Sequence, residues 1–317
     1  MMRVFVYEHL CASGAADAPD DELLAAGRAM RDAVAHDLLR GGDCAVSVAA
    51  GPHAREVPAG ACALRPPPGA RAVDFVAHQA RLHDRVWVIA PETGGVLAQL
   101  QRVVDAERWL GCDAAAIALA SSKRATLARA AEHGVTTPLA FATSPATRRW
   151  VVKPDDGAGA MATRVHNTHA AARDDLDTRR LRGQTAVLEA WVAGEPLSLS
   201  LLCGAGRIEL LSVNRQQLRI DAVGVLSFVD VQINAVSRDD PRFGSLHTWA
   251  RTLARAVPGL QGYVGVDLVW HPQRGPVLVE INPRTTMAYV GLSAALQRNI
   301  AAAVLAAHRR EALHADA

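Results

Sequence analysis

The chain contains only two lysines, Lys123 and Lys153, although lysine and arginine together number 34. The two residue types are not interchangeable, because lysine carries a compact charge on a flexible stem whereas arginine presents a planar fork. Lys123 begins a helical run, and Lys153 follows an apolar run and precedes the glycine-containing segment 154–160. Small residues let backbone N–H groups approach an anion, and the ammonium group adds charge. The pattern therefore indicates a phosphate site; a genome that disfavours lysine codons explains the scarcity but not the positions.

A second set of candidate residues lies near the C-terminus and consists of Asp267, Glu280 and Asn282. Each stands in an apolar run that predicts a strand, and the turn at 271–275 would pair the two strands antiparallel. Side chains alternate along a strand, so Glu280 and Asn282 share a face and Asp267 can lie across from them. Two carboxylates and an amide oxygen suit Mg²⁺, which would offset the cost of burying unpaired carboxylates. The alternative is a set of solvent-facing strand positions.

Two further residues are placed to contact a ligand. Arg284 follows the last predicted strand, and its fork suits a transferring phosphoryl group or a substrate carboxylate. Glu189 lies in the apolar run 187–192, whose exposed backbone could pair with an adenine edge while the carboxylate accepts from the exocyclic amine. A glutamate at a strand end is a weak signal when it stands alone.

The elements that must hold these residues begin with alternating strands and helices in the first third of the chain. Apolar runs predict strands at 4–7, 44–49, 72–77 and 85–90, and helices over 20–39 and 96–108. This alternation predicts a parallel, doubly wound, Rossmann-like sheet. Ligands of such sheets bind at the carboxyl ends of the strands, which places Glu92 where it could contact one.

The rest of the sequence predicts two units, each of which combines helices and strands. The first has a helix over 123–133 and strands at 150–153 and 185–192. The second has helices over 241–256 and 293–310 and strands at 198–203, 207–213, 217–220, 227–233, 262–270 and 276–282. We therefore divide the chain into residues 1–112, 113–192 and 193–317, and we class the fold as α/β and α+β.

The order of lysine, lysine with glycine loop, acidic linker, aspartate and Glu-x-Asn-Pro-Arg resembles the ATP-grasp superfamily over roughly residues 114–292. The resemblance implies two α+β domains that clamp ATP behind a Rossmann-like, pre-ATP-grasp domain. It implies that Lys123 and Lys153 hold the ATP phosphates. It further implies a mobile phosphate-covering loop formed by Asp156, Gly157, Ala158, Gly159 and Ala160.

The same resemblance implies roles for the remaining candidates. Adenine would be held by Glu189 and by the backbone from Ala190 to Val192. Two Mg²⁺ ions, or Mn²⁺ in their place, would be bound by Asp267, Glu280 and Asn282. Arg284 would bind the transferred phosphoryl group, and Arg215 would assist it or the substrate.

One position departs from the superfamily pattern. A ribose-binding glutamate usually stands seven residues after the acidic linker residue, but Pro196 occupies that position and Glu195 precedes it. Either the turn is shifted by one residue, which makes Glu195 the ribose ligand, or the ribose is held in another way.

Three segments, 4–9, 90–97 and 212–216, look like those of the tyramine–L-glutamate ligases of methanofuran biosynthesis. This narrower resemblance implies an ATP-dependent carboxylate–amine ligase that activates glutamate as an acyl phosphate and joins it to an aromatic amine such as tyramine. Glu92 would then contact the amine or serve a structural role. The alternatives are a ligase for another amino acid or a peptide, and a nucleotide-binding module without turnover.

The amino-acid composition limits the classes of molecule that we expect this chain to bind. Half of the residues are hydrophobic, the formal net charge is +2, and no basic cluster alternates with aromatic residues, so we expect neither nucleic acid nor membrane partners. The five cysteines are scattered, which argues against a disulfide framework or a zinc site and favours a reducing cytoplasm. The expected partners are a small carboxylate, with glutamate favoured, and an amine; a homodimer is compatible with the sequence.

Overall fold

The structure is a computed structural model that describes residues 1–12, 20–157, 159–204 and 206–315, with side chains up to residue 309. The N-terminal strands are β1 (Met2–Glu8), β2 (Cys44–Ala49), β3 (Cys62–Leu64) and β4 (Arg85–Ile89). The helices between and after them are α1 (His9–Ala12), α2 (Asp21–Arg40), α3 (Ala72–Leu82) and α4 (Val96–Arg102). The strands form a parallel sheet in the order β3-β2-β1-β4, which confirms the predicted parallel sheet.

Strand alternation gives β1 two apolar faces, one for each helical layer. Val4 and Val6 lie in the same buried cluster as Val34 of α2. Phe5 instead packs against Phe75 of α3, with ring centroids 5.8 Å apart. Buried on both faces, the strand reads as a continuous apolar run, as expected for a parallel sheet covered by helices.

The predicted strand at 72–77 is wrong, because these residues form the first half of α3. The helix buries Phe75, Val76, Gln79 and Ala80, which share one face at helical spacing. A short apolar run has no periodicity that separates a strand from a buried helical turn. The third strand of the sheet is the three-residue edge strand β3 instead. The helix predicted over 96–108 ends earlier, at Arg102.

The middle of the chain forms a small antiparallel sheet beside helices. Its elements are α5 (Ala114–Ala120), α6 (Lys123–Glu132), β5 (Trp150–Pro154), β6 (Arg164–His166), α7 (His169–Leu181) and β7 (Ala186–Ala190). The sheet has the order β6-β5-β7. Val152 of β5 packs on Ala172 and Leu176 of α7, so the helix covers one face and leaves the other to the cleft described below.

The elements of the C-terminal part are β8 (Glu195–Gly204), β9 (Arg207–Ile220), β10 (Leu226–Val236), α8 (Pro241–Ala256), β11 (Gly262–His271), β12 (Gly275–Asn282), α9 (Leu292–Ala295) and α10 (Ile300–Ala315). The strands form a five-stranded antiparallel sheet in the order β10-β9-β8-β11-β12. The strands predicted at 207–213 and 217–220 are one strand, β9. The helix predicted over 293–310 is divided in two near Gln297, which has a positive φ of 49°.

The tip of the β9–β10 hairpin joins the two antiparallel sheets. The amide of Val165 in β6 donates to the Gly224 carbonyl at 2.8 Å, and the amide of Leu226 donates to the Thr163 carbonyl at 3.0 Å. Gly224 has a φ of +87°, and a Cβ there would lie 2.3 Å from the Val165 carbonyl oxygen. Glycine is therefore required at this contact.

The described part of the chain also has three short 3₁₀ segments, Thr93–Gly95, Pro138–Phe141 and Met287–Tyr289. Within the described ranges, no helix combines the length and the apolar character needed to cross a membrane. The division of the chain at residues 112 and 192 stays a prediction.

Candidate functional site

A cleft lies between the three-stranded and five-stranded sheets, and most of the predicted site residues line it. Those residues are Lys123, Lys153, Gly157, Gly159, Glu189, Ala190, Val192, Asp267 and Glu280. Apolar side chains, among them Met161, Leu218 and Phe228, form most of the rest of the wall. Ala158, also predicted for the loop, lies outside the described residues. A mainly apolar cleft with a few convergent charged groups is typical of a small-molecule site.

Lys153 and Glu189 form a buried ion pair inside this cleft. The antiparallel register places Glu189 opposite Val151, two residues from Lys153 on the same face. The Lys153 Nζ lies 2.9 Å from Oε2 of Glu189, and the two side chains are 7% and 5% exposed. The other oxygen, Oε1, is buried and has no hydrogen-bond partner in the described part of the chain. An unpaired acceptor in a cleft is suited to a ligand that donates a hydrogen bond.

Lys123 forms the second buried ion pair of the cleft. Its Nζ lies 3.0 Å from Oε2 of Glu280 and also donates to the Gly157 carbonyl. Burial alone would raise the pKa of Glu280, but the charges of Lys123 and Lys153 outweigh burial and hold that pKa below its usual range. The carboxylate is therefore ionised, and it stands between the two lysines and a second acid.

Asp155 fixes the positions of the two lysines relative to each other. Its Oδ2 accepts from the Ser122 hydroxyl at 2.8 Å, and its Oδ1 accepts from the Arg124 amide at 2.9 Å. Its carbonyl also accepts from the Lys123 amide at 3.0 Å. The residue after β5 thereby binds the first turn of α6, where free backbone N–H groups favour an anion. We did not predict this role from the sequence, although the position of Asp155 two residues after Lys153 was a usable signal.

Asp267 and Glu280 are directly paired across β11 and β12, as the hairpin prediction required. Oδ2 of Asp267 accepts from the Asn282 amide at 3.1 Å, and Oδ1 accepts from Nε2 of Gln216 at 2.9 Å. Burial, followed by repulsion from Glu280, raises the pKa of Asp267 to about 8. Two adjoining, partly buried acids are costly unless a cation or a proton lies between them.

The donor set of this acidic pair suits a hard divalent cation. Carboxylate and amide oxygens are the ligands that Mg²⁺ and Ca²⁺ prefer. The set has two carboxylates only, and the described residues contain no cluster of three or more histidine, cysteine, aspartate or glutamate side chains arranged for a metal. Such a site would leave several coordination positions for phosphate oxygens and water, as is usual for Mg²⁺.

Arg284 lies beside the acidic pair but is bound to the N-terminal part of the chain. Its Nε and Nη2 donate to both oxygens of Glu92 at 3.0–3.1 Å, and Nη2 also contacts Oδ1 of Asn282 at 3.4 Å. Burial alone would lower the pKa of Arg284, but the Glu92 carboxylate outweighs burial and raises it. Glu92 therefore contacts a site residue, whereas we left its role open from the sequence.

Five of the described predicted residues are not part of the cleft lining. Asn282 still contacts Asp267, and Arg284 contacts Asn282, whereas Arg215, Glu195 and Asp156 make their contacts elsewhere. Arg215 donates to Glu195 at 2.6 Å, and Glu195 also accepts from Arg242 of α8 at 2.7 Å. The neighbours Pro196 and Gln216 line the cleft instead, because successive side chains point to opposite faces of a strand. The structure therefore does not bring Glu195 and Arg215 together with the other candidates.

Asp156, the third of these residues, contacts the N-terminal part of the chain. Its carboxylate accepts from the Gly94 amide at 2.9 Å, and its carbonyl accepts from the Thr93 hydroxyl at 3.1 Å.

Gln216 is a site residue that sequence reasoning missed. Strand alternation next to Arg215 could have found it, had we known which face of β9 lines the cleft.

Comparisons with known proteins agree with this architecture. A family model described as an ATP-grasp domain matches residues 120–288, and a pre ATP-grasp 3 domain matches residues 44–117. Among solved structures, an ATP-grasp superfamily protein from Archaeoglobus fulgidus superposes with a TM-score of 0.71 at 19% identity, covering 96% of this chain and 88% of that one. A D-alanine–D-alanine ligase from Bacillus anthracis gives a TM-score of 0.66 at 14% identity, covering 98% of each chain.

Two curated relatives are named tyramine–L-glutamate ligase. The protein from Methanocaldococcus jannaschii is 30% identical over 211 residues, which cover 66% of this chain and 58% of the relative. The protein from Methanocaldococcus fervens is 31% identical over 212 residues, which cover 66% of this chain and 61% of the relative. The chain thus spans about three fifths of the length of these relatives. Because the ATP-grasp model matches more than half of the 317 residues, the chain belongs to the ATP-grasp family.

Proposed function

We propose that this chain is an ATP-dependent carboxylate–amine ligase that works through an acyl phosphate. The observation that carries the proposal is one cleft in which two buried lysines and two paired, partly buried acids converge. The lysines suit phosphate oxygens and the acids suit a divalent cation, so together they match the charges of a metal–nucleotide complex. Membership in the ATP-grasp family and the names of the two relatives support the same reaction class.

The nucleotide would occupy the length of the cleft. Lys123 and Lys153 would contact its phosphates, and the loop at 156–160 would cover them. The free oxygen of Glu189 would accept from the adenine amine, and the backbone from Ala190 to Val192 would pair with the adenine edge. The proposal gives no ligand contact to Glu195 or Arg215, because these residues pair with each other beside α8. The ribose would be held in another way.

The divalent cations would be held by Asp267, Glu280 and Asn282. We propose that they are two Mg²⁺ ions, which Mn²⁺ can replace. When bound, the metal supplies positive charge that neutralises the phosphate oxygens. Asp267 would lose its proton on metal binding, because a carboxylate must be ionised to act as a ligand. Gln216 would orient Asp267 through the hydrogen bond already present at 2.9 Å.

The reaction would proceed by two displacements. A carboxylate oxygen of the acid substrate attacks the γ-phosphorus, and the bond from that phosphorus to the bridging oxygen breaks, which releases ADP. The amine nitrogen then attacks the acyl carbon, phosphate leaves, and the nitrogen loses a proton to give the amide. The side chains of the cleft contribute positioning and charge, with the two lysines and Arg284 facing the transferred group.

For the substrates, we propose L-glutamate and an aromatic amine such as tyramine, joined in a cofactor pathway of the methanofuran type. The support is the name shared by the two curated relatives at about 30% identity. A mainly apolar cleft wall that includes Phe228 and Leu218 is compatible with the adenine ring and does not identify the amine.

The proposal is tested by incubating the purified chain with MgATP, L-glutamate and a panel of amines. We expect ADP release that requires both glutamate and one amine, together with a γ-glutamyl amide of matching mass. ADP release with another carboxylate would keep the ligase class and replace the substrate. ATP binding without release of ADP for any carboxylate and amine would overturn the ligase proposal in favour of a nucleotide-binding module.

A further inference from the structure

Glu92 follows β4, at the carboxyl edge of the parallel sheet, and is 5% exposed. Both of its oxygens accept from Arg284, which is 192 residues away along the chain. The side chains of Glu92 and Arg284 are 6% and 11% exposed, so the pair is almost fully removed from water. A carboxylate of the N-terminal part thus fixes an arginine beside the acids that would bind the metal.

The contacts of Arg284 leave one N–H group for a ligand. A guanidinium has five N–H donors: one on Nε and two on each Nη. Nε and Nη2 donate to Glu92, Nη2 also donates to Asn282, and Nη1 donates to the Thr285 carbonyl. Four donors are engaged within the described residues, and one on Nη1 is left. Because the group is planar, the two bonds to Glu92 set the direction of that remaining donor.

Stability alone does not account for such a pair. Ion pairs of this kind contribute little net stability, because removing two charges from water offsets most of their attraction. The pair is also part of the acidic site, since Arg284 contacts Asn282 and Asn282 donates to Asp267. Its position therefore links the N-terminal part to the group that would bind the metal.

From these contacts we infer that Glu92 is a positioning residue, which aligns Arg284 with the transferred phosphoryl group. The inference rests on the proposed function. It also accounts for Glu92 without a contact to the amine, since both of its oxygens already accept from Arg284. The turn that follows Glu92 has a second contact of the same kind, because Thr93 and Gly94 hold Asp156 at the start of the phosphate-covering loop. One turn thus aligns both the arginine and the loop.

The test compares Glu92→Gln with Glu209→Gln in the full chain. Glu209 is a suitable control because it forms a two-bond pair with Arg298, at 2.5 and 3.1 Å, away from the cleft lining. In Glu92→Gln we expect kcat for glutamate-dependent ADP release to fall about 100-fold, as for a misplaced catalytic contact. The KM for ATP should stay close to wild type, whereas the thermal midpoint should fall by about 10 °C, because Arg284 is left buried without its partner charge. Glu92→Asp, which keeps the charge on a shorter stem, should recover part of the lost kcat. The control Glu209→Gln should have the kcat of the wild type.

Two results would overturn the inference. One is a wild-type kcat in Glu92→Gln. The other is an equal loss of kcat and ATP affinity, which would show that the pair maintains the cleft as a whole and does not specifically align Arg284. Failure of the proposed function is seen separately, as no turnover by the wild type. If the wild type shows no turnover, the inference is decided by calorimetry, which measures the binding of inorganic phosphate to the complex of the protein with MgADP. Binding about tenfold weaker in Glu92→Gln than in the wild type supports the inference, and equal binding refutes it.

Discussion

Replacing Lys153 by methionine removes one charge of a buried ion pair while keeping an unbranched apolar stem. In the present structure Lys153 is the partner of Oε2 of Glu189, whose Oε1 has no partner in the described residues. The variant would leave that buried carboxylate without its partner cation. Removing one partner of a buried pair costs about 3–5 kcal/mol. For a domain of this size we expect the thermal midpoint to fall by about 10 °C.

The same substitution should weaken nucleotide binding by a separate mechanism. A hydrogen bond to a charged group contributes about 1.5–3 kcal/mol, so losing one phosphate contact should raise the Kd for ATP about 10- to 150-fold. The double variant Lys153→Met/Glu189→Gln removes both charges of the pair. We expect it to recover most of the thermal midpoint, because no buried charge is left unpaired, while its ATP affinity stays low.

Differential scanning fluorimetry measures the midpoints, and calorimetry with a non-hydrolysable ATP analogue measures the affinities. Arg180→Met is the control, because its pair with Asp177 is 56% exposed on both sides and should change stability by less than about 1 kcal/mol. Wild-type ATP affinity in Lys153→Met would refute the phosphate contact. A double variant no more stable than the single one would refute the charge argument.

Three further predictions concern pH, the hairpin contact and the metal. Burial raises the pKa of Asp267 to about 8 from an ordinary 3.8, so the metal-free protein should lose stability as the pH rises through this range, because the unfolded state releases the proton first. Asp267→Asn should lessen that decline in urea titrations, and Glu8, whose pKa burial also raises, should contribute the remainder. Gly224→Ala should cost about 1–3 kcal/mol in the same assay, since a Cβ there meets a carbonyl oxygen and φ is +87°. Gln216→Ala should weaken Mn²⁺ binding, measured by electron paramagnetic resonance, by about 10- to 100-fold, because Gln216 donates to a proposed ligand.

The hairpin and metal predictions each have a control within the chain. Gly275 also has a positive φ, of +68°, but open space around its Cβ position, so Gly275→Ala should cost only about 1 kcal/mol. Gln217 is exposed and adjoins Gln216, so Gln217→Ala should leave Mn²⁺ binding unchanged. Equal losses in the two glycine variants, or in the two glutamine variants, would contradict the contacts on which the predictions depend. A decline as large in Asp267→Asn as in the wild type would contradict the titration of Asp267.

The sequence predicted the acidic half of the site because strand alternation and one hairpin turn suffice to pair Asp267 with Glu280. It could not place Arg215 and Glu195, because the face that a strand presents depends on its sheet neighbours. Here β8 and β9 also shift register between Ser200 and Leu201. The strand predicted at 72–77 failed for a different reason: a six-residue apolar run has no period.

The contact between Glu92 and Arg284 was beyond any local pattern. Both residues were noted from the sequence, one at a strand end and one after the last site strand. Their pairing spans 192 positions and depends on how the N-terminal part packs against the C-terminal sheet. Side-chain types and spacing thus identify which residues could do chemistry, whereas the packing of the parts decides which of them meet.

Formation of an acyl phosphate is the central claim, and oxygen transfer tests it most directly. The chain would be supplied with MgATP, an amine substrate and L-glutamate labelled with ¹⁸O in both carboxylates. If a carboxylate oxygen attacks the γ-phosphorus, each phosphate released should carry one ¹⁸O atom, visible as an isotope shift in the ³¹P NMR spectrum. Amide formation with unlabelled phosphate would contradict the mechanism.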